Sequence, residues 1–273
     1  MNPTPSTSTT GLPAGLTPNL RHAFGGIWRL TLGKFLAPRR WPAVASLLAV
    51  LGLIVYGFLD AGNGPRLYLG WTIGFYFTFV VPVMAFITAA GAMRDEMKPA
   101  TVDYVLTRPV PRPAFVIFKY LAHVAGAQVD FLLSFGVILG AGLVRQAPGL
   151  IAAAPLLLLA QILLVTAFSA LGFLCGVLTS RYVVLGLLYA VIIEVGVGQI
   201  PTELNRLSMT HQVKTMLQPL AAEAASKFTF GIQTLPPDGK LATVGVLLAF
   251  SAVLLALTAA VFAVRELTGS GEA

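Results

Sequence analysis

The sequence predicts an all-α integral membrane protein with six transmembrane helices, and three observations carry this prediction. Of the 273 residues, 56% are hydrophobic and only 11% are charged, and the mean hydropathy is +0.82. A soluble domain averages about 25% charged residues, so most of this surface must face lipid. The apolar residues recur in long runs along the whole chain, and one long charged segment, 94–119, interrupts them.

Six apolar runs are each long enough to cross a bilayer as a helix, which takes about 20 residues at a rise of 1.5 Å per residue. The runs are 42–59, 67–93, 115–144, 150–179, 182–200 and 241–264. The strands of a barrel would alternate in polarity and be about half as long, so helices are predicted. Residues 19–267 therefore form a single predicted transmembrane domain.

The residues before the first run divide into two predicted segments. Residues 1–18 are rich in Pro, Ser and Thr and lack the features of a signal peptide, which predicts a disordered tail. Residues 19–36 repeat apolar side chains at three- and four-residue steps, which predicts an amphipathic helix lying in the membrane interface. A cytosolic extension of the first span is the alternative, but Pro38 and Pro42 break the helix before that span begins.

The distribution of Lys and Arg predicts the orientation. Six spans place twelve of the 18 Lys and Arg residues on the same side as the N-terminus, and basic residues are enriched on the cytoplasmic side of membrane proteins. Both termini are therefore predicted to be cytoplasmic, in the cell inner membrane. The segment 201–240 is then external, with short helices predicted at 202–209 and 213–227. Topology explains the net charge of +7 better than nucleic-acid binding does.

The charged segment 94–119 lies on the predicted cytoplasmic side, between the second and third runs. Pro99 suits the first turn of a helix, where a missing N–H costs nothing. The apolar residues that follow on one face of that helix are Val102, Val105 and Leu106. Three prolines then prevent the helix from continuing: Pro109, Pro111 and Pro113. We therefore predict a helix of about two turns, held at both ends by spans, that receives force from a partner protein.

The string Glu96-Met-Lys-Pro-Ala-Thr101, then Val105-Leu106-Thr-Arg108-Pro109-Val110-Pro-Arg112 and then Lys119, resembles the signature of type-two ATP-binding-cassette transporter permeases. In that family a Glu, a Gly-Thr pair, a Leu-rich turn, Pro, Arg and a Gly-Lys pair lie between the second and third spans. Ala100 and Phe118 stand where the family has Gly. The six-span layout, the amphipathic N-terminal helix and the long loop before the last span are also similar.

The resemblance implies a permease subunit of an ATP-driven exporter. It implies a homo- or heterodimer of permease subunits with two separate ATPase subunits, which bind ATP and Mg²⁺. It further implies that segment 96–112 contains a coupling helix that enters a groove on the ATPase. The residues implied to contact the ATPase are Glu96, Lys98, Pro99, Thr101, Val102, Val105, Leu106, Arg108, Pro109 and Arg112. The alternative is that these charges only fix the topology and that the apolar face rests on the bilayer lipid.

The substrate stays open, and so does the choice between transport and mechanical signalling to a periplasmic partner. The family includes the membrane subunit of an exporter that supports copper-enzyme maturation, so mechanical signalling to a periplasmic partner is a further possible function. Two alternatives come from other functional classes. One is a non-transporting membrane scaffold or sensor that anchors a cytosolic complex. The other is an intramembrane enzyme acting on lipid, which needs clustered polar catalytic residues that the sequence does not display.

No catalytic residue, metal site or cofactor site is predicted in this chain. The two Gly-Lys pairs, 33–34 and 239–240, lack the earlier Gly and the following Ser or Thr of a phosphate-binding loop, so ATP hydrolysis is expected in a partner. The three histidines are far apart in sequence, and the single cysteine, Cys175, lies in an apolar run. An internal disulfide is therefore excluded, and a metal site is not expected.

Asp130 and Glu194 are the two acidic residues deep within apolar runs. A charge at a helix centre costs about 2.5–3.5 kcal/mol on insertion scales, so both side chains should face protein or water. Asp130 shares its helix face with Gly126, and Glu194 shares its face with Gly186, which predicts close helix contacts at both. A substrate path or proton relay is one interpretation. A packing role, in which each carboxyl accepts hydrogen bonds from a neighbour, is the favoured one.

Overall fold

The computed structural model describes residues 20–60, 68, 70–98, 111–146, 150–199, 203–224 and 239–264, and most of these residues lie in helices. The helices in order are α1 (Leu20–Phe35), α2 (Trp41–Asp60), α3 (Thr72–Glu96), α4 (Arg112–Val144), α5 (Leu150–Leu178), α6 (Tyr182–Gly196), α7 (Met209–Ala224) and α8 (Lys240–Val264). The predicted tail, 1–18, lies outside the described residues.

Among the described residues, five helical stretches are long and apolar enough to cross a membrane. Four of them are α3, α4, α5 and α8, and the fifth runs through α1 and α2, from Leu20 to Gly57. The predicted all-α membrane fold is thus confirmed, but the sixth span is not. α6 has an eight-residue α-helical stretch and a seven-residue π-helical stretch. Together these would extend about 22 Å, short of the roughly 30 Å core of a bilayer.

A short 3-10 turn, Pro38–Arg40, separates α1 from α2, at the break that the prolines predict. Both helices pack against α4. α1 contacts the first half of α4, and α2 contacts its second half. The Phe24 ring on α1 lies 5.2 Å from the Phe118 ring, and Gly52 on α2 approaches Val137. α1 therefore buries one face against protein. Its predicted place in the membrane interface stays a prediction.

α5 is the central helix of the bundle and packs against α3, α4, α7 and α8. Its contact with α3 depends on two glycines, Gly172 and Gly176, whose small-xxx-small spacing is typical of close helix packing. A Cβ atom at either position would lie 2.6 Å from a backbone oxygen of α3, that of Phe86 or Ala90. Any larger residue would force these two helices apart.

The bundle has two ends, which we name after the carboxylates found there. The Glu96 end holds the last turn of α3, the first turns of α4 and the last turn of α8. The Glu194 end holds α7, which packs against the π-helical stretches of α3 and α6, Thr72–Val80 and Ala190–Gly196. π-helical turns are rare and are found frequently at functional sites.

The segment that the sequence places outside the membrane is helical in its described part. The helix predicted at 202–209 corresponds to a 3-10 turn, Glu203–Leu207. The helix predicted at 213–227 corresponds to α7, which begins four residues earlier, at Met209. The earlier start has a local cause, because the Ser208 hydroxyl accepts a hydrogen bond from the backbone N–H of His211 and so caps the helix.

Candidate functional site

The Glu96 end carries a cluster of charges from three helices. Glu96 is the last residue of α3, and its Oε1 atom accepts a hydrogen bond from Nζ of Lys119, on α4, at 2.6 Å. Nζ of Lys34, on α1, lies 3.6 Å from the same oxygen. The side chains of Glu96 and Lys119 are 12% and 5% exposed, whereas that of Lys34 is 59% exposed. The Glu96–Lys119 ion pair is therefore buried, and Lys34 approaches it from the surface.

Two further contacts surround this cluster. Nζ of Lys98 donates to Oδ1 of Asp95 at 2.7 Å, in an exposed pair just past the end of α3. Nη1 of Arg112, at the start of α4, donates to the backbone oxygen of Ala263 at 3.2 Å. Ala263 lies in the last turn of α8, where free carbonyl groups concentrate negative potential and favour a cation. The first residue of α4 is thereby attached to the end of α8.

Of the residues implied to contact an ATPase, three are described, Glu96, Lys98 and Arg112. Lys98 is exposed, Glu96 is engaged with two lysines, and Arg112 is engaged with α8. The others lie outside the described residues: Pro99, Thr101, Val102, Val105, Leu106, Arg108 and Pro109. The structure thus locates both ends of the signature segment, at the end of α3 and the start of α4.

The end of α1 is held by an aromatic contact close to this cluster. The Phe35 ring lies 5.4 Å from the His123 ring, and a Cβ atom at Gly126 would overlap it. His123 is buried, its ring also faces Phe173 at 5.6 Å, and neither of its nitrogens has a hydrogen-bond partner among the described residues. His123 therefore acts here as an aromatic packing residue.

Asp130 lies near the middle of α4 and pairs with the joint between α1 and α2. Nη2 of Arg40 donates to its Oδ2 atom at 2.5 Å, and the Arg40 guanidinium also lies over the Phe35 ring, 4.6 Å from its centre. The side chains of Asp130 and Arg40 are 24% and 33% exposed. Asp130 thus has the cationic donor that a packing role requires.

A buried polar contact joins α3, α4 and α5 about one turn further along α4, at Ser134. The hydroxyl oxygen of Tyr76 lies 2.6 Å from Oγ of Ser134 and 2.9 Å from Oε1 of Gln161. Tyr76 and Gln161 are fully buried. Sequence reasoning did not single out Tyr76 or Gln161, although a lone Gln within an apolar run is a usable signal for an interhelical hydrogen bond.

Glu194 accepts hydrogen bonds from five donors around the start of α7. Its Oε1 atom accepts from the Tyr189 hydroxyl at 3.0 Å and the Met209 backbone N–H at 3.1 Å. Its Oε2 atom accepts from the Ser208 hydroxyl at 2.6 Å, the Thr210 backbone N–H at 3.1 Å and the Thr210 hydroxyl. These backbone groups are the first N–H groups of α7, which have no partner within the helix. Glu194 therefore attaches the N-terminus of α7 to α6.

These observations indicate a multi-pass membrane protein that is helical in its described residues and whose signature segment lies between two candidate spans. The chain matches the family described as "ABC-2 family transporter protein" over residues 12–267. It therefore belongs to that family, whose members are membrane components of ABC transporters and have no ATPase of their own. No curated protein matches the chain. The family resemblance drawn from the signature is thus confirmed.

Proposed function

We propose that this protein is the permease subunit of an ATP-driven exporter in the inner membrane, driven by a separate ATPase that engages the segment between α3 and α4. The observation that carries the proposal is the position of the family signature. It runs from Glu96, at the end of one candidate span, to Arg112, at the start of the next. A segment attached to two spans delivers any displacement directly to both.

Charge and topology support the assignment of this end to the cytoplasm. Lys34, Arg94, Lys98, Arg112 and Lys119 all lie near the Glu96 end, and basic residues favour the cytoplasmic side. The Glu194 end, with α7, then faces the periplasm. A substrate leaving the bundle, or a periplasmic partner receiving a mechanical signal, meets that end.

The working assembly contains two ATPase subunits, which bind ATP and Mg²⁺, and a second permease subunit, identical or related. ATP binding closes the ATPase pair and displaces the segment between α3 and α4. Arg112 then carries part of the movement to α8 through the Ala263 carbonyl, and Glu96 carries part of it to α4. The spans alternate between inward-open and outward-open arrangements as a result.

The test is co-purification with the partner ATPase subunit, after co-expression in membranes. Arg108→Glu should reduce the retained ATPase at least tenfold, because it reverses a charge within the proposed contact. Arg206→Glu is the control, since Arg206 is an exposed cation in the turn Glu203–Leu207, at the opposite end of the bundle, and it should retain the wild-type amount. Full retention by Arg108→Glu would contradict the proposed contact.

Reconstitution separates a transporter from a scaffold. A coupled permease should change the ATP hydrolysis rate of its ATPase severalfold when both are placed in proteoliposomes. A scaffold that only anchors the ATPase should leave the ATP hydrolysis rate equal to that of the ATPase alone. An unchanged rate, with binding intact, would favour the scaffold.

A further inference from the structure

Glu96 belongs to the signature that the family resemblance assigns to ATPase contact, yet its surroundings fit another role. Its side chain is only 12% exposed and already faces two cations of its own subunit, Lys119 and Lys34. Its neighbours Asp95 and Lys98 form a pair of similar length in which both side chains are more than half exposed. A docking protein can reach that exposed pair, but reaching Glu96 would require breaking a buried ion pair.

A buried ion pair is an inefficient way to stabilise two helices. The desolvation of both charges offsets their attraction, and apolar side chains of similar volume are often as stabilising or more so. What the pair supplies is a defined spacing, because each buried charge is satisfied only when its partner is in place. Glu96 and Lys119 are 23 residues apart in sequence, and the signature segment lies between them. Their pair therefore fixes the distance across the base of that segment.

The same carboxylate is also the point where α1 meets α3. Lys34 approaches Glu96 from α1, and the next residue, Phe35, packs against His123 and Gly126 of α4. Nearer the N-terminus of α1, the Phe24 ring meets Phe118, the neighbour of Lys119. α1 is thus held along its length to the part of α4 that carries Lys119.

We propose that Glu96 and Lys119 are positioning residues whose ion pair fixes the end of α3 against the first turns of α4, and that Lys34 attaches α1 to the same point. α1, the end of α3 and the start of α4 then move as one unit. This inference rests on the proposed function, because the segment between α3 and α4 is the part that an ATPase would displace.

The attachment of α1 is tested in the permease alone, with a nitroxide label on α1. Leu30→Cys in a Cys175→Ala background provides one exposed labelling site, since Leu30 is 60% exposed and Cys175 is buried. Glu96→Gln should increase the mobility of the label and lower the Tm by about 5–10 °C. Asp95→Asn removes a neighbouring charge and should change neither. An unchanged label spectrum in Glu96→Gln overturns the attachment of α1.

Exchange of the two charges tests the pair itself. Glu96→Lys and Lys119→Glu should each lower the Tm and mobilise the label. The double variant should recover at least half of the Tm loss, because it restores an ion pair across the same two positions. Its label should stay mobile, because Lys34 then faces an ammonium group in place of the Glu96 carboxylate. A double variant that is no better than either single variant, or that fails to accumulate, overturns the pair as the positioning element.

ATPase measurements on the same variants separate this inference from the proposed function. The proposed function fails if the wild-type permease retains no ATPase. If the wild type retains the ATPase, the Glu96→Gln permease should bind the ATPase within twofold of the wild-type amount. It should nevertheless lower the permease-dependent change in ATP hydrolysis severalfold. Loss of ATPase binding with an unchanged label spectrum would identify Glu96 as a contact residue and would overturn its positioning role.

Discussion

Glu96 and Glu194 are acidic residues at opposite ends of the bundle, and their carboxylates are stabilised in different ways. Glu96 faces two ammonium groups, those of Lys119 and Lys34. Glu194 accepts its five hydrogen bonds from hydroxyl and backbone N–H groups, and no ion pair to it is found within the described part of the chain. One carboxylate is held by opposite charge, and the other is held by neutral dipoles.

This difference predicts which substitutions each end of the bundle tolerates. A charge balanced by a cation depends on the charge of its partner, so both partners can be changed together. A carboxylate that caps a helix N-terminus depends on the number and direction of its donors, and no single second change restores it. The Glu96 end should therefore respond to paired substitutions, whereas the Glu194 end should not.

The largest effect is expected from removing one charge of the buried pair. Glu96→Leu leaves the Lys119 ammonium buried and without its closest partner, which should cost about 3–5 kcal/mol of stability. For a chain of this size the Tm should fall by about 10 °C or more. Thermal unfolding of the purified permease in detergent measures this.

The matched control for that change is the double variant Glu96→Leu with Lys119→Met. It removes both charges and keeps a similar apolar volume, so it should recover most of the lost Tm. Equal losses in the single and double variants would show that the unpaired charge of Lys119 does not cause the loss, so the ion pair would not be what holds the Glu96 end together. The comparison with Glu194 would then lose its basis.

A smaller effect is expected from removing the charge of Glu194, which accepts hydrogen bonds at the N-terminus of α7. Glu194→Gln keeps one acceptor oxygen but turns an amide NH₂ group toward donors such as Ser208 and Thr210. Hydrogen bonds to a charged group contribute about 1.5–3 kcal/mol, so the Tm should fall by about 5 °C. Hydrogen exchange at the Thr210 amide should accelerate, because it loses the Oε2 acceptor, whereas the Met209 amide keeps the remaining oxygen. The nitroxide on α1 should be unaffected, and a mobilised label would mean that the two ends are coupled.

The sequence predicts the apolar helices well because bilayer length and hydrophobicity are direct physical signals. The bounds of α4, α5 and α8 fall within three residues of the predicted runs 115–144, 150–179 and 241–264. α6 departs from its run, 182–200, because the chain turns after Gly196 and Glu194 is attached to Ser208 and Thr210. Those contacts join residues on two elements, and no local period in the sequence reports them.

The partners of the acidic residues were beyond sequence reasoning for the same reason. The expectation that Asp130 and Glu194 face protein agrees with their contacts, since polar groups within apolar helices need donors. The identity of the donors depends on how helices pack, and Arg40 is 90 residues from Asp130 in sequence. The cap at Ser208 was available locally, because Ser before a helix is a common N-terminal signal.

The next largest effect is expected from Ser208, the N-cap residue of α7. Ser208→Ala removes the hydroxyl that accepts from the His211 N–H and donates to Glu194. Loss of a helix N-cap costs about 1 kcal/mol, so the Tm should fall by about 2–4 °C. Ser46→Ala is the control, because the Ser46 hydroxyl is exposed and bonds only to a carbonyl of its own helix. Equal effects of both changes would remove the special role of Ser208.

The smallest effect is expected from the exposed pair beside Glu96. Asp95 and Lys98 are as close as Glu96 and Lys119, 2.7 Å against 2.6 Å, but both remain in solvent, where ion pairs contribute little. Asp95→Asn should therefore leave the Tm indistinguishable from that of the wild type at pH 7. The hydrogen bond to Asp95 raises the pKa of Lys98 above its ordinary value, so the Lys98 side of the pair keeps its charge at neutral and mildly alkaline pH and loses it only as the pH rises through that raised pKa. Melting curves at pH 7 and pH 9 should consequently show the same absence of effect, and a clear loss at either pH would mean that distance, rather than burial, sets the strength of the Glu96 cluster.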